Sequence, residues 1–498
     1  MYEYLKSLFI IVIIAAIIFL IARPAFANIF PKKDLDRYRN VWFACTLIVF
    51  LAHSYWLYII ASAVVIFWAQ RIESNKVVLF FVLILAAPEL PFEVPLGGVI
   101  RYLITMNHMR LLELAILLPA FIGIVRKRES LAFGRTTPDK FFAAYLLIIC
   151  LLHFRGTTAT DSLRFGFNTF LDIFLPYFVV SRSLRDIKQF KVAIGTLVAA
   201  SLLAAGVAVF EYLNHWLLYQ SLLQEYGVQA PIGSFLMRGD KLRAIASTDQ
   251  PIVLGYVMMI AIGFLFFLKD SIPRGNSRFL LFAILAGGLF ASLSRGPWGG
   301  TILFFIVLGV LKQRVGGLTR LIAASVVAII FVLVLPGGEK LINLLPFIGN
   351  VDTGNVDYRI RLLDMGLTVF AENPLLGSVD YLDTPEMQSL IQGQGIIDIV
   401  NSFLGILLQY GLVGLAAFLM LFGSILWRIY KIFRRIKNYR DEHYSLGIVL
   451  FAVLISILWT IFTVSSIGVI PHLYWAIAGM GVAYTQLFKQ NHFSKPSI

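Results

Sequence analysis

Apolar residues run along the chain in long blocks separated by short polar stretches. A helix needs roughly 20 apolar residues to cross the hydrocarbon core of a bilayer. In the first half, residues 5–22, 110–125, 140–153, 163–181 and 190–213 meet that pattern. In the second half, 250–268, 279–294, 298–311, 319–335, 401–427, 444–464 and 471–488 do so. Residues 41–70 read either as one long helix or as two short ones turning near His53 and Ser54, and 77–88 is a short run. The expectation is an all-α polytopic transmembrane helical bundle of about 12–15 spans. It divides into N-terminal helices (1–213), an outer loop (214–249), central helices (250–335), a large outer loop (336–400) and C-terminal helices (401–498). The first block lacks a strongly basic start, and Arg23 and Pro24 interrupt it before Ala25, Phe26 and Ala27. It reads as a retained span, not a cleaved signal.

Composition agrees. Of 498 residues, 59% are apolar and 14% charged, against about 45–50% and about 25% in soluble chains. The net charge of +14 therefore points to basic loops of a membrane protein and not to nucleic-acid binding. The loops 126–140, 181–191, 269–278, 312–320 and 428–443 together hold 21 basic and 6 acidic residues. The alternating loops 88–109, 154–162, 214–249, 295–297 and 336–400 hold 9 basic and 15 acidic ones. The positive-inside rule makes the first set cytoplasmic and the second outward-facing. Cys45 and Cys150 lie in apolar runs and form no disulfide framework. Neither a P-loop nor His/Cys metal spacing is present, and no cofactor is expected.

The loop 336–400 spans 65 residues with nine acids, too long for a plain connector. After Asn355, a candidate N-cap, Val356, Ile360, Leu363, Leu367 and Phe370 recur at helical spacing. Asp357 suits the first turn, and Asn373 with Pro374 ends the helix. The pattern predicts an amphipathic helix at the outer membrane face.

Charged residues inside spans need a reason. Asp172 lies mid-span, Glu211 near an outer end, and Glu113 three residues after Arg110, so that those two can pair on one helix face. Arginine on the outer face suggests a different chemistry. A guanidinium grips phosphate oxygens in a bidentate fork. Arg295 stands in a tight turn with Ser294, Gly296 and Pro297, Arg243 lies just before Gln250 and Pro251, and Arg359 and Arg361 begin the amphipathic helix. Arg361 has Asp357 and Asp364 as helical neighbours, whereas Arg295 has no acid within its own turn. Together the four are candidates to hold a lipid diphosphate. Tyr358, Tyr381, Gln388, Gln392, Gln394 and Asn350 are candidates to meet sugars.

The order of these motifs resembles the O-antigen ligase and polymerase superfamily. The block from Arg359 and Arg361 to Asn373, Pro374, Leu375, Leu376 and Gly377 is similar to its arginine-led helix and closing turn. Val400 and Asn401, then nine residues, then Gly411 resemble its entry into the next span. Ser294, Arg295 and Gly296 resemble its outer turn, and Arg243 with Asp249, Gln250, Pro251 and Gly255 its other arginine site. The resemblance covers roughly residues 240–480. It implies a metal-independent inverting glycosyltransferase of the GT-C type in a bacterial inner membrane, working at the periplasmic face. Its partners would be an undecaprenyl-diphosphate-linked oligosaccharide donor and acceptor, the bilayer, a chain-length regulator and a flippase. The ligases carry histidine where this chain has Val400, which cannot move a proton. The expected activity is therefore polymerisation of lipid-linked repeat units, with Arg295, Asp398 and Asn401 catalytic and Asp398 a substitute base. The alternatives are ligase-type transfer, a flippase and a non-catalytic assembly subunit. His472, at an outer helix start, reaches the site only if the fold carries it there.

Overall fold

The computed structural model describes residues 2–97, 100–127, 132–228, 236–238, 240–312, 353–391 and 395–493. Among the described residues the chain is all-α apart from two small hairpins. The helices are α1 (Glu3–Ala25), α2 (Lys32–Leu51), α3 (Tyr55–Ile72), α4 (Lys76–Leu83), α5 (His108–Arg126), α6 (Thr137–His153), α7 (Ala159–Ser183) and α8 (Ile187–Asn214). They continue with α9 (Pro251–Leu268), α10 (Asn276–Ala291), α11 (Arg295–Leu311), α12 (Thr353–Glu372), α13 (Ser402–Phe433), α14 (Glu442–Phe462) and α15 (Val469–Phe493). Eight helices among the described residues are long and apolar enough to cross a membrane: α1, α3, α5, α7, α8, α9, α13 and α14. Helices α10 and α11 are apolar but shorter, and the expected span 319–335 lies outside the described residues. The chain is a multi-pass membrane protein.

Helices α8 and α9 form the centre, with 83% and 89% of their most apolar stretches buried by neighbours. Helix α15 packs along the second half of α7, α14 against α11, and α13 against α6. Away from the candidate site, a buried ion pair of 2.7 Å between Arg182 and Asp139 ties α7 to α6.

Residues 41–70 form two helices turning at His53 and Ser54, one of the two readings the sequence allows, with His53 at φ +49° between α2 and α3. Several other features differ from the sequence reading. A hairpin of Phe92–Gly97 and Ile100–Met106, with a register shift at Val94 and Pro95, was not anticipated. Proline and glycine inside the run hide its alternation. Ser294, Arg295 and Gly296 do not form the turn between two spans. The turn falls at 292–294, where Leu293 takes φ +44°, and Arg295 is the first residue of α11. Asn355 is no N-cap, since α12 already begins at Thr353.

Helix α12 carries two apolar stripes. Tyr358, Leu362 and Val369 are buried in a satellite core with Tyr381, Met387, Leu390, Leu404 and Leu408. Burying each such side chain is worth ~2 kcal/mol against water. Of the stripe read from the sequence, Ile360, Leu363 and Leu367 lie on the opposite face, 62%, 50% and 48% exposed, whereas Phe370 packs against the satellite core.

Candidate functional site

Pieces distant in the chain meet at residues 463–466 of the linker that joins α14 to α15. Gly296 lies against Thr463, and a Cβ there would come within 2.6 Å of the Thr463 hydroxyl oxygen. Arg359 donates to the Thr463 carbonyl at 3.1 Å. The Ser402 amide and hydroxyl both donate to the Val464 carbonyl, at 3.2 and 2.8 Å. The Ser465 hydroxyl donates to Asp398 Oδ1, and the Ser466 and Ser402 hydroxyls meet at 2.8 Å. One four-residue strap thus holds the start of α11, the start of α13, Arg359 and Asp398.

The arginines gather at the 292–294 turn. Arg243 Nη2 donates to Ser294 Oγ at 3.0 Å, and Arg238 donates to the Leu293 carbonyl. The Ala244 amide donates to the Ala291 carbonyl at 3.0 Å. Arg295 follows at once as the first residue of α11, where the helix dipole already favours an anion. Burial, with the Arg238 charge beside it, lowers the pKa of Arg243 to about 9, so it stays cationic at neutral pH in a place that disfavours the charge. An anion there would offset that cost. Gly255 packs against the same turn, since a Cβ on it would come within 2.8 Å of Ser292 Oγ and 3.0 Å of Pro297.

Glu211 holds this arginine loop. Its Oε1 accepts the Leu218 amide at 3.0 Å, and its Oε2 accepts the Ile245 and Ala246 amides at 3.0 and 2.8 Å. A buried carboxylate with three charge-assisted amide bonds is a strong local anchor. On the other side of the loop, Asp249 accepts the Glu89 amide at 2.8 Å. Asp249 Oδ1 and Glu89 Oε1 are buried and accept no hydrogen bond among the described residues. Burial, with Glu89 nearby, pushes the Asp249 carboxyl well above the usual range.

Asn401 caps α13, its Oδ1 accepting the Phe403 and Leu404 amides at 3.0 and 3.1 Å. Ten residues on, Gly411 breaks the helix with φ +64° and ψ −166°. The turn 373–377 docks into that break. Leu412 and Val413 donate to the Pro374 and Leu375 carbonyls at 2.9 and 3.1 Å, and Ser378 donates to the Leu408 carbonyl at 2.9 Å. Gly377, at φ +63°, faces the same backbone, and a Cβ there would lie 2.5 Å from the Leu408 oxygen. The spacing from Asn401 to Gly411 is thus the length of helix between a cap and a backbone-to-backbone joint. Arg155 clamps the turn from outside, donating to the Leu376 and Gly377 carbonyls at 2.8 and 3.1 Å.

The structure therefore brings Arg243, Arg295, Arg359, Asp398 and Asn401 to one end of the bundle around the strap. Arg361 is exposed on α12, two residues from Arg359 and turned to another face. Tyr358 and Tyr381 are buried and not displayed to solvent. The Tyr358 hydroxyl donates to the Asp398 carbonyl and accepts its amide. Gln388 is exposed, while Asn350, Gln392 and Gln394 lie outside the described residues. Arg110 does not pair with Glu113. It forks onto Asp172 at 3.0 and 2.8 Å, and Glu113 instead meets His472 at 2.6 Å. Sequence reasoning missed Arg238, Arg155 and this His472 contact. The first two lie within the outer loops already flagged, whereas the third joins residues with no local pattern.

The sequence model of the O-antigen ligase family matches residues 280–419. That stretch begins in α10, includes Arg295, Arg359, Asp398 and Asn401, and ends in α13. The match supports the O-antigen ligase and polymerase superfamily and, with it, glycan transfer of the O-antigen ligase type. No curated protein matches the chain.

Proposed function

We propose that this chain, which its 280–419 match relates to the O-antigen ligase and polymerase superfamily, is a polysaccharide polymerase. It joins repeat units carried on undecaprenyl diphosphate at the extracytoplasmic face of a bacterial inner membrane. The observation that carries the reading is the gathering of Arg238, Arg243 and Arg295 at one helix-opening turn beside the strap that holds Arg359 and Asp398. Two guanidiniums at a helix-opening turn, with a third arginine as the first residue of that helix, suit a diphosphate. As the glycosyl bond breaks, negative charge grows on that leaving group, and preformed cations stabilise it. The exposed stripe of Ile360, Leu363 and Leu367 suits the bilayer surface from which a lipid-linked substrate arrives. Arg359 sits on that helix at the strap and would meet the headgroup.

Val400 favours polymerisation over ligation, because it stands where the ligases carry histidine and it cannot accept a proton. Ligase-type transfer is the second reading, favoured by the description of the matching family. Deleting the protein separates them through the glycan ladder. Loss of long chains with single repeat units remaining supports polymerisation. Intact long chains left on the lipid carrier support ligation, and unpolymerised units trapped inside support a flippase.

A further inference from the structure

A buried group of ionisable side chains lies next to the strap, and the diphosphate site does not use it. Two of its members sit in π-turns. In α5 the Leu118 amide bonds the Glu113 carbonyl, and in α7 the Leu175 amide bonds the Phe170 carbonyl. Pro119 and Pro176 account for both, since each removes an N–H from the helical ladder and crowds the preceding turn. π-turns bulge a helix locally and recur at functional sites. Here they direct Glu113 and Asp172 towards His472 in the first turn of α15, and one ligand atom from each residue lies within 4.8 Å of the others.

The roles within the group divide. Asp172 is held by the Arg110 fork, and their charges balance. Glu113 is 0% exposed, its Oε1 is 2.6 Å from His472 Nδ1, and its Oε2 is buried without a hydrogen bond among the described residues. Glu89 faces the same group from the stretch before the first hairpin. His472 Nε2 makes no hydrogen bond among the described residues. A carboxylate that accepts a hydrogen bond from Nδ1–H fixes the imidazole tautomer and leaves Nε2 as the basic atom. Five residues lie between His472 and Ser466 of the strap, and Gly468 among them lies against Glu89. Asp398, by contrast, already accepts the Ser465 hydroxyl and lies in the field of Arg359.

We propose that His472 Nε2 takes the proton from the acceptor sugar's hydroxyl, with Glu113 as the positioning residue; this rests on the reading of the chain as a polymerase. The hydroxyl oxygen bonds to the anomeric carbon of the donor while the bond from that carbon to the diphosphate oxygen breaks. The bonding pair leaves with undecaprenyl diphosphate. The hydroxyl proton passes to Nε2, giving an imidazolium beside the Glu113 carboxylate, which then returns the proton to water. The fold supplies at position 472 the base that Val400 cannot be.

The test uses the full-length protein reconstituted in liposomes with a lipid-linked repeat unit, measuring kcat and KM separately. His472→Gln is expected to lower kcat by about 10²-fold or more with KM for the lipid-linked unit little changed. His472→Ala is expected to regain turnover as imidazole is added, a response that a merely structural residue would not show. Glu113→Gln is expected to lower kcat less, again at steady KM. Full turnover in His472→Gln, or no rescue of an inserted His472→Ala, overturns the proposal. If His472→Ala fails to insert, His472→Gln and Glu113→Gln carry the test, and full turnover in either overturns it. A wild-type protein that joins no repeat units contradicts the polymerase reading itself, whereas active wild type with active variants contradicts the base alone.

Discussion

Single side chains decide whether the arginine loop can act. Arg243→Ala and Arg295→Ala are each expected to cut polymer formation by about 10²-fold or more, the usual loss when one preformed charge stabiliser is removed. Arg243→Lys should also impair it, because lysine cannot reproduce the fork. The readout is the glycan ladder, with membrane insertion checked by blotting, and full activity in any of the three removes that arginine from the site. Glu211→Gln tests the anchor beneath. The amide replaces a carboxylate that accepts three backbone amides, so it should lower stability by about 1–3 kcal/mol and reduce polymer although the residue touches no substrate. Asp249 gives a pH dependence. Its carboxyl is raised in the folded state, so the protonated form favours folding. That contribution is full below the ordinary carboxyl pKa of about 4 and fades as pH rises towards the raised folded value. Asp249→Asn keeps an acceptor for the Glu89 amide and should flatten the fall in melting temperature as pH rises above the ordinary carboxyl pKa of about 4. An unchanged slope would show that Asp249 does not titrate this way.

Among elements, the joint between α13 and the turn 373–377 is the most constrained. Gly411→Ala and Gly377→Ala should each destabilise by about 1–3 kcal/mol from backbone conformation alone, with overlap against the facing backbone added. Gly423→Ala, on the same helix with nothing within 4 Å of an added Cβ, should be neutral or raise the melting temperature by removing a helix-interior glycine. Equal effects in all three would contradict the joint. Helix existence was legible because each span needs one long apolar block, and α8, α9 and α13 follow it closely. Helix ends were less so: Lys32, Thr353 and Arg295 begin helices with polar or charged residues, where hydropathy gives no signal. The stripe of Ile360, Leu363 and Leu367 was visible as periodicity. Which of two apolar faces packs inward was not, since that depends on Met387, Leu404 and Leu408 from elsewhere in the chain.

At the scale of the whole molecule, the outcome depends on how far-separated residues converge. Arg243, Arg295 and the stretch 398–401 carried local motifs and could be singled out one by one. The strap 463–466 that gathers Arg295, Arg359 and Asp398 carries none, because its serines, threonine and backbone carbonyls act only through partners. The Glu113–His472 contact, bridging 359 positions, is equally silent in sequence, and the only nearby hints are the prolines that bend α5 and α7. The central claim is that separated guanidiniums form one diphosphate site. Titration of undecaprenyl diphosphate against the purified protein and its Arg243→Ala/Arg295→Ala double variant tests it directly. The account predicts saturable binding by the wild type, weakened by about 10²-fold or more in the folded double variant. Equal affinity in the two proteins would contradict it.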